Sequence, residues 1–321
     1  MERILTEHPP AHNDGSLYFR RMLPLECVPN VSEGRRLDVV ARLVEAVTSV
    51  AGVRLLDVSS DPDHNRSVLT LAGEPDPLHH GLLALYEAAL AEIDLNQHRG
   101  VHPRVGAVDV VPFVPLGDTP MQAAIAASRR LAPEVAARFG LPVYLYEQAA
   151  QSEDRRALSV IRRGGFEGLA AKIADPAWAP DHGPVRVHPT GGATVIGARF
   201  FLIAFNAVLE TGDVEVARAI ARRVRESGGG LPAVRAMGVH LASRGRAQVS
   251  MNLVDYRRTP VLAALDRVRR EAEALGTRVL ESEVIGLMPE EAVLDVARDA
   301  LQLPRLSGGQ VLENRLRSGR P

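Results

Sequence analysis

The sequence predicts an α/β (α+β) fold of two similar β-α-β-β-α-β sandwich lobes, each a mixed sheet with helices packed on it, and a ligand cleft between them. Three observations lead there. Strand-like and helix-like apolar runs alternate in the order β-α-β-β-α-β from Leu25 to Val114, and the same order returns from Arg199 to Ile285. The chain of 321 residues also exceeds what one core usually fills.

In the first lobe, Leu25–Pro29 is a short apolar strand. Arg35–Val50 follows with helical spacing at Leu37, Val40, Leu43, Val44 and Val47, and Gly52 ends it. Val53–Ser59 and Ser67–Ala72 read as strands around the polar turn Ser60–Arg66, Pro77–Leu95 as a second helix and Ala107–Val114 as a fourth strand. Thr119-Pro120-Met121-Gln122 matches a capping box with proline at the first helical position. A helix is therefore expected toward Arg138, kinked at Pro133 and stopped by Gly140 and Pro142, with a strand at Val143–Tyr146 beyond it.

The second lobe reads as strand Arg199–Ala207, helix Asp213–Glu226, strands Val234–Leu241 and Ala247–Val254, helix Thr259–Leu275 and strand Val279–Ile285. Gly228 and Gly276 supply helix stops, and Thr259-Pro260 a helix start. A last helix is expected over Pro289–Leu301. The expected divisions are a disordered leader at 1–21, lobes at 22–198 and 199–303, and a flexible tail at 304–321. Joining the lobes is Ala174–Gly192, rich in Pro, Gly, Asp and His, of the irregular kind that lines binding sites.

Composition removes several function classes. The 38 basic and 39 acidic residues nearly cancel and only 4% of residues are aromatic, so neither a phosphate-neutralising surface nor a base-stacking platform for nucleic acid is expected. The single cysteine, Cys27, excludes an internal disulfide and a Cys-rich zinc site, and reads as a small core side chain. Phe200–Leu209, the most apolar stretch, is about half the roughly 20 residues of a membrane span, so no membrane partner and a cytoplasmic location are expected.

Familiar motifs fail one by one. His98 and His102 have the spacing of a helical zinc pair, but Gly100 and Pro103 oppose a helix and Arg99 stands where a glutamate is needed, so no metal is expected. Asp61–Asn65 lacks the glycine and distal glutamate of a calcium loop. Gly191–Gly197 precedes strand rather than helix, which removes a dinucleotide fingerprint. What remains is Arg99-Gly100-Val101-His102-Pro103-Arg104, a loop whose proline holds His102 extended and presented.

Five stretches, LECVPNVSEG from Leu25, DHNRS from Asp63, GVHPRVGAVD from Gly100, VYLYE from Val143 and GARFFLIAFN from Gly197, together resemble the glutamate formimidoyltransferase family from Met22 to Leu301. The resemblance implies transfer of the formimino group of N-formimino-L-glutamate to N5 of tetrahydrofolate in histidine degradation. It implies His102 as the catalytic acid/base, and folate contacts along Gly183, Pro184, Val185, Arg186, Val187, His188, Pro189, Thr190, Gly191 and Gly192. It also implies a homodimer, with tetrahydrofolate as co-substrate. Members that fuse a cyclodeaminase domain continue past the point where this chain stops, so cyclisation of the product is expected elsewhere.

The chemistry suits such residues. A neutral imidazole can accept the N5 proton and return it to the leaving amine, which is typically worth about 10² to 10⁴ in rate. Substrates rich in carboxylates call for guanidinium forks. Asn65, Arg66, Arg99 and Arg104 are candidate substrate or orienting contacts, and Asp57 could orient His102 or meet the pterin amino group. Two competitors remain on the sequence alone: N-formylglutamate as donor, and a non-catalytic folate sensor.

Overall fold

A computed structural model describes residues 24–318 and the backbone of Glu2–Arg3. The chain divides between Phe200 and Phe201 into two compact units. Of the expected leader, only Glu2–Arg3 (β1) is described, pairing with Ser59–Ser60; the rest of residues 1–21 lies outside the described residues.

The first unit is one mixed sheet. Its strands are β2 (Leu25–Cys27), β3 (Asn30–Val31), β4 (Arg54–Asp61), β5 (Arg66–Gly73), β6 (Val108–Pro115), β7 (Val143–Glu147) and β8 (Thr194–Ala198), in the order β1-β4-β5-β2-β6-β8-β7 with β3 pairing β5 and β6. The expected strand Leu25–Pro29 is broken at Val28–Pro29. Pro29 has no N–H to give, and its carbonyl accepts from Leu69 instead.

Helices α1 (Leu37–Thr48), α2 (Pro75–Glu92) and α3 (Met121–Phe139) cover one face. Leu43, Leu82 and Leu131 from these helices are fully buried with Leu25, Leu69 and Leu71 of the sheet. Each such side chain stabilises the fold by roughly 1.5–3 kcal/mol. The third helix runs unbroken through Pro133 and ends at Gly140 in the left-handed region. Its expected capping box does not form: Thr119 donates to the Pro24 carbonyl at 3.2 Å. Thr259 behaves alike, donating to the Pro232 carbonyl at 2.5 Å.

The opposite face of this sheet carries two short helices, α4 (Leu158–Ile161) and α5 (Leu169–Ala174), which the sequence reading did not anticipate. Ile161, Leu169 and Ile173 bury against Val110, Tyr144 and Val195. Lys172, the chain's single lysine, donates to the carbonyls of Val160 and Ile161 and so closes the end of α4 just before Arg162.

The second unit holds β9 (Ile203–Leu209), β10 (Val234–Leu241), β11 (Arg246–Leu253) and β12 (Val279–Ile285), ordered β10-β11-β9-β12 and all antiparallel. Its helices are α6 (Val214–Val224), α7 (Val261–Ala274) and α8 (Glu290–Ala300). The expected strand Arg199–Ala207 begins later and runs further, as β9, while β8, between β6 and β7 in the first sheet, ends just before it at Ala198. The expected flexible tail carries a capping box between Ser307 and Gln310 and a helix at Leu312–Ser318.

Candidate functional site

The turn between β4 and β5 builds one side of the site. Asp61 Oδ1 accepts from the backbone N–H groups of Asp63 and His64, both at 2.9 Å, and Asn65 closes the turn at φ 47°. Asparagine tolerates that region because its short amide can bond locally. Here Oδ1 accepts from the Gly34 N–H and Nδ2 donates to the Arg99 carbonyl, each at 3.0 Å. One side chain therefore ties three segments together.

The connection from α2 to β6 supplies the other side. Buried His98 donates from Nε2 to the Asn65 carbonyl at 2.8 Å and accepts at Nδ1 from Arg104 Nε at 2.9 Å. A Cβ at Gly100 would lie 2.3 Å from the His64 carbonyl oxygen, so this close approach requires glycine.

Held between these segments, His102 has a defined tautomer. Its Nδ1 is 2.8 Å from the Pro103 carbonyl, which can only accept, so the proton sits on Nδ1 and Nε2 presents a lone pair. Arg66 donates from Nη1 to that lone pair at 2.5 Å. The His64 ring lies 5.7 Å away, centre to centre. Burial, followed by the positive charge of Arg66 and Arg162, holds the imidazole well below its ordinary range, so it is neutral at pH 7. Burial and Arg162 also lower Arg66 to about 10, against the pull of Asp109 and Asp61, which leaves it charged at neutral pH.

Asp109 lies behind this pair, buried on β6. Its Oδ1 accepts from the Val105 N–H at 2.8 Å and its Oδ2 from Arg162 Nη2. Arg162 Nε is buried and has no hydrogen-bond partner among the described residues. His64, Arg66, His102 and Asp109 line one narrow crevice with the residues that tie the turn to the loop.

The candidates from sequence are placed unequally. Asn65, Arg66 and His102 meet in the crevice. Arg104 is committed to the scaffold, its guanidinium forked on Glu167 at 2.9 and 3.1 Å. Arg99 is exposed and donates to the Asn96 and His98 carbonyls. Asp57 is outside the crevice, opposite Thr70 on β5. The two ring nitrogens of His102 are engaged by Pro103 and Arg66.

The expected folate stretch has two halves. Val185 and Arg186 are exposed beyond Gly183, and His188–Gly192 forms a tight turn in which His188 Nδ1 accepts from the Gly191 N–H at 2.9 Å. Burial lowers His188. This turn is bound to the strand entrance just past His102: the carbonyls of Thr190 and Gly191 accept from Leu95 and Ala107, and Ala193 donates to Val105.

His64, Asp109 and Arg162 are site residues that sequence reasoning missed. The first two lie inside the stretches DHNRS and GVHPRVGAVD, beside Arg66 and His102. Arg162 carried no signal, being one arginine among many in a segment without a motif. Among the described residues, no group of three or more His, Cys, Asp or Glu side chains is placed to hold a metal ion.

Comparison with known proteins places the chain. Residues 24–199 match the formiminotransferase domain, N-terminal subdomain, and residues 204–307 match the formiminotransferase domain. The chain belongs to the formiminotransferase family. It is 42% identical to a glutamate formimidoyltransferase of Streptococcus pyogenes serotype M1 and 45% to one of Thermoplasma acidophilum, over 91% of this chain and 98% and 97% of theirs. A formimidoyltransferase-cyclodeaminase of Gallus gallus is 40% identical over 88% of this chain but only 53% of its own length. Family membership makes the chain a transferase, and every residue of the crevice falls within the family's N-terminal subdomain.

Proposed function

We propose that the protein transfers the formimino group of N-formimino-L-glutamate to N5 of tetrahydrofolate, releasing L-glutamate and 5-formimidoyltetrahydrofolate in histidine degradation. Near full-length likeness to two proteins named glutamate formimidoyltransferase carries this reading. A neutral imidazole among guanidinium groups supports it.

N5 attacks the formimino carbon, and the bond from that carbon to the glutamate nitrogen breaks when the tetrahedral intermediate collapses. The proton lost by N5 is the one the glutamate nitrogen gains, so one base that becomes one acid is sufficient. His102 Nε2 is that group, and Nδ1–H held on the Pro103 carbonyl keeps the ring aimed through both transfers. A depressed imidazole is a modest base toward the acidic cationic nitrogen of the intermediate and a strong acid toward the leaving amine. Both substrates carry carboxylates, which suit Arg66 and Arg162.

The same reading includes a cytoplasmic homodimer, and sedimentation of the purified protein tests the dimer. No described helix is long and apolar enough to cross a membrane. The function is tested by absorbance of the folate product with N-formimino-L-glutamate and, separately, with N-formyl-L-glutamate. Turnover of the formimino donor is expected. Preference for the formyl compound would replace the donor, and folate binding with turnover of neither would make the protein a sensor.

A further inference from the structure

The lone pair that the chemistry needs is occupied. Arg66 donates directly to His102 Nε2, and the crevice around them is narrow. As long as that bond stands, the imidazole cannot accept a proton from a substrate nitrogen. Some event must draw Arg66 away.

The charges nearby indicate which event. The positive charges of Arg66 and Arg162 act on the same imidazole, Arg66 through a direct bond and Arg162 from its seat on crevice-lining Asp109, and the His64 ring is a third nitrogen-bearing neighbour. The carboxylates acting on Arg66 are Asp109 and Asp61. Asp109 has one oxygen on the Val105 N–H and the other on Arg162, and Asp61 Oδ1 is engaged by the turn. Arg66 thus has as its close acceptor a neutral nitrogen, which is a weaker partner for a guanidinium than a carboxylate. Arg162 retains a buried Nε–H without an acceptor among the described residues, a polar group whose burial costs free energy until something accepts from it. A single anion between the two guanidinium groups would satisfy both deficits.

We propose that Arg66 is a latch opened by substrate: a carboxylate of the glutamyl donor binds between Arg66 and Arg162, takes Arg66 from His102, and leaves Nε2 free for the reacting nitrogen. The identity of that carboxylate rests on the function proposed above; the exchange of partners at Arg66 rests on the geometry. His102 is then unavailable to solvent acids and bases until a donor is bound.

The exchange is read on His102 itself, by imidazole nitrogen chemical shifts of the full-length, ¹⁵N-histidine-labelled protein titrated with acid. L-glutamate is the probe, with sodium chloride at matched ionic strength as the control. Saturating L-glutamate is expected to raise the proton affinity of His102 at least tenfold, and chloride is expected to leave it unchanged. Arg66→Gln should show the raised affinity without any probe. Arg162→Lys, which keeps a charge beside Asp109 but lacks Nε–H, should weaken the effect of L-glutamate severalfold. Circular dichroism checks the fold of each variant, and wild-type protein with and without L-glutamate decides the matter if a variant fails to fold.

An unchanged His102 titration in saturating L-glutamate would overturn the latch even if the wild type turns over N-formimino-L-glutamate. A shifted titration in a protein that turns over neither donor would overturn the proposed function and leave the latch standing.

Discussion

The strand order of the second sheet recurs as β4-β5-β2-β6 within the first, and so does a turn, yet the candidate crevice is lined by residues of the first unit. Between β4 and β5 four residues end in Asn65 at φ 47°, followed by Arg66; between β10 and β11 four residues end in Gly245 at φ 58°, followed by Arg246. In the second unit, Arg246 donates to a backbone carbonyl, that of Glu210, and a Cβ at Gly245 would touch nothing. In the first, the same turn faces a long connection, Ile93–Ala107, where the second unit passes from α7 to β12 through Leu275–Arg278 alone. The longer connection brings His98, His102 and Arg104 to the turn. The candidate site thus arises where an inserted connection meets a common turn, and not from the turn alone.

Charge is handled just as unequally. The first unit buries Asp109 with Arg162, their side chains 3% and 12% exposed, whereas Glu210 and Arg278 in the second pair across 2.8 Å in solvent. Asp109→Asn should cost about 3–5 kcal/mol of stability, because it leaves a buried guanidinium unpaired. Glu210→Gln should cost under about 1 kcal/mol. Urea unfolding of both variants measures the difference, and equal costs would remove the contrast.

Replacing His102 examines the chemical side. His102→Ala is expected to fold and still bind folate, and to lose at least about a hundredfold in turnover. Near-normal turnover would move the proton transfer elsewhere in the crevice.

Buried Glu26 gives a prediction with an unusual sign. Burial lifts its carboxyl to about 7, against the opposing charge of Arg199; its register partner in β5, Ala72, corresponds to Asn252 of β11, which faces uncharged Ala204. Between about pH 4.5 and 7 the folded protein keeps a proton on Glu26 that the unfolded chain has released, so its contribution to stability falls as pH rises through that window. Glu26→Gln should be nearly neutral at pH 5 and stabilising by roughly 2–3 kcal/mol at pH 8. A pH-independent difference would assign Glu26 an ordinary carboxyl.

Much of this was legible in sequence, for identifiable reasons. The repeated β-α-β-β-α-β elements of both units follow from apolar period, whereas α4, α5 and β8 do not, and His102 stood out because proline and glycine restrict its loop. Sequence failed where the partner is distant. Thr119 has the neighbours of a capping box but finds Pro24, 95 residues away, and nothing near Arg162 points to Asp109, 53 residues before it. Asp57, which the sequence offered for His102 or the pterin amino group, pairs in register with Thr70 on β5 and does not line the crevice.

The smallest effects are the most discriminating for the comparison of turns. Asn65→Gly gives the first turn the residue of the second and keeps its backbone conformation, so any loss comes from the bonds to Gly34 and Arg99. That loss should be about 1–3 kcal/mol, with a fall in turnover as the His102 loop loosens. Gly245→Asn makes the reverse exchange where an added Cβ meets no atom within 4 Å, and asparagine accepts the left-handed backbone, so a change within about 0.5 kcal/mol is expected. Matching losses in the two variants would mean that the turn itself, and not the segments Asn65 ties to it, sets the difference between the units.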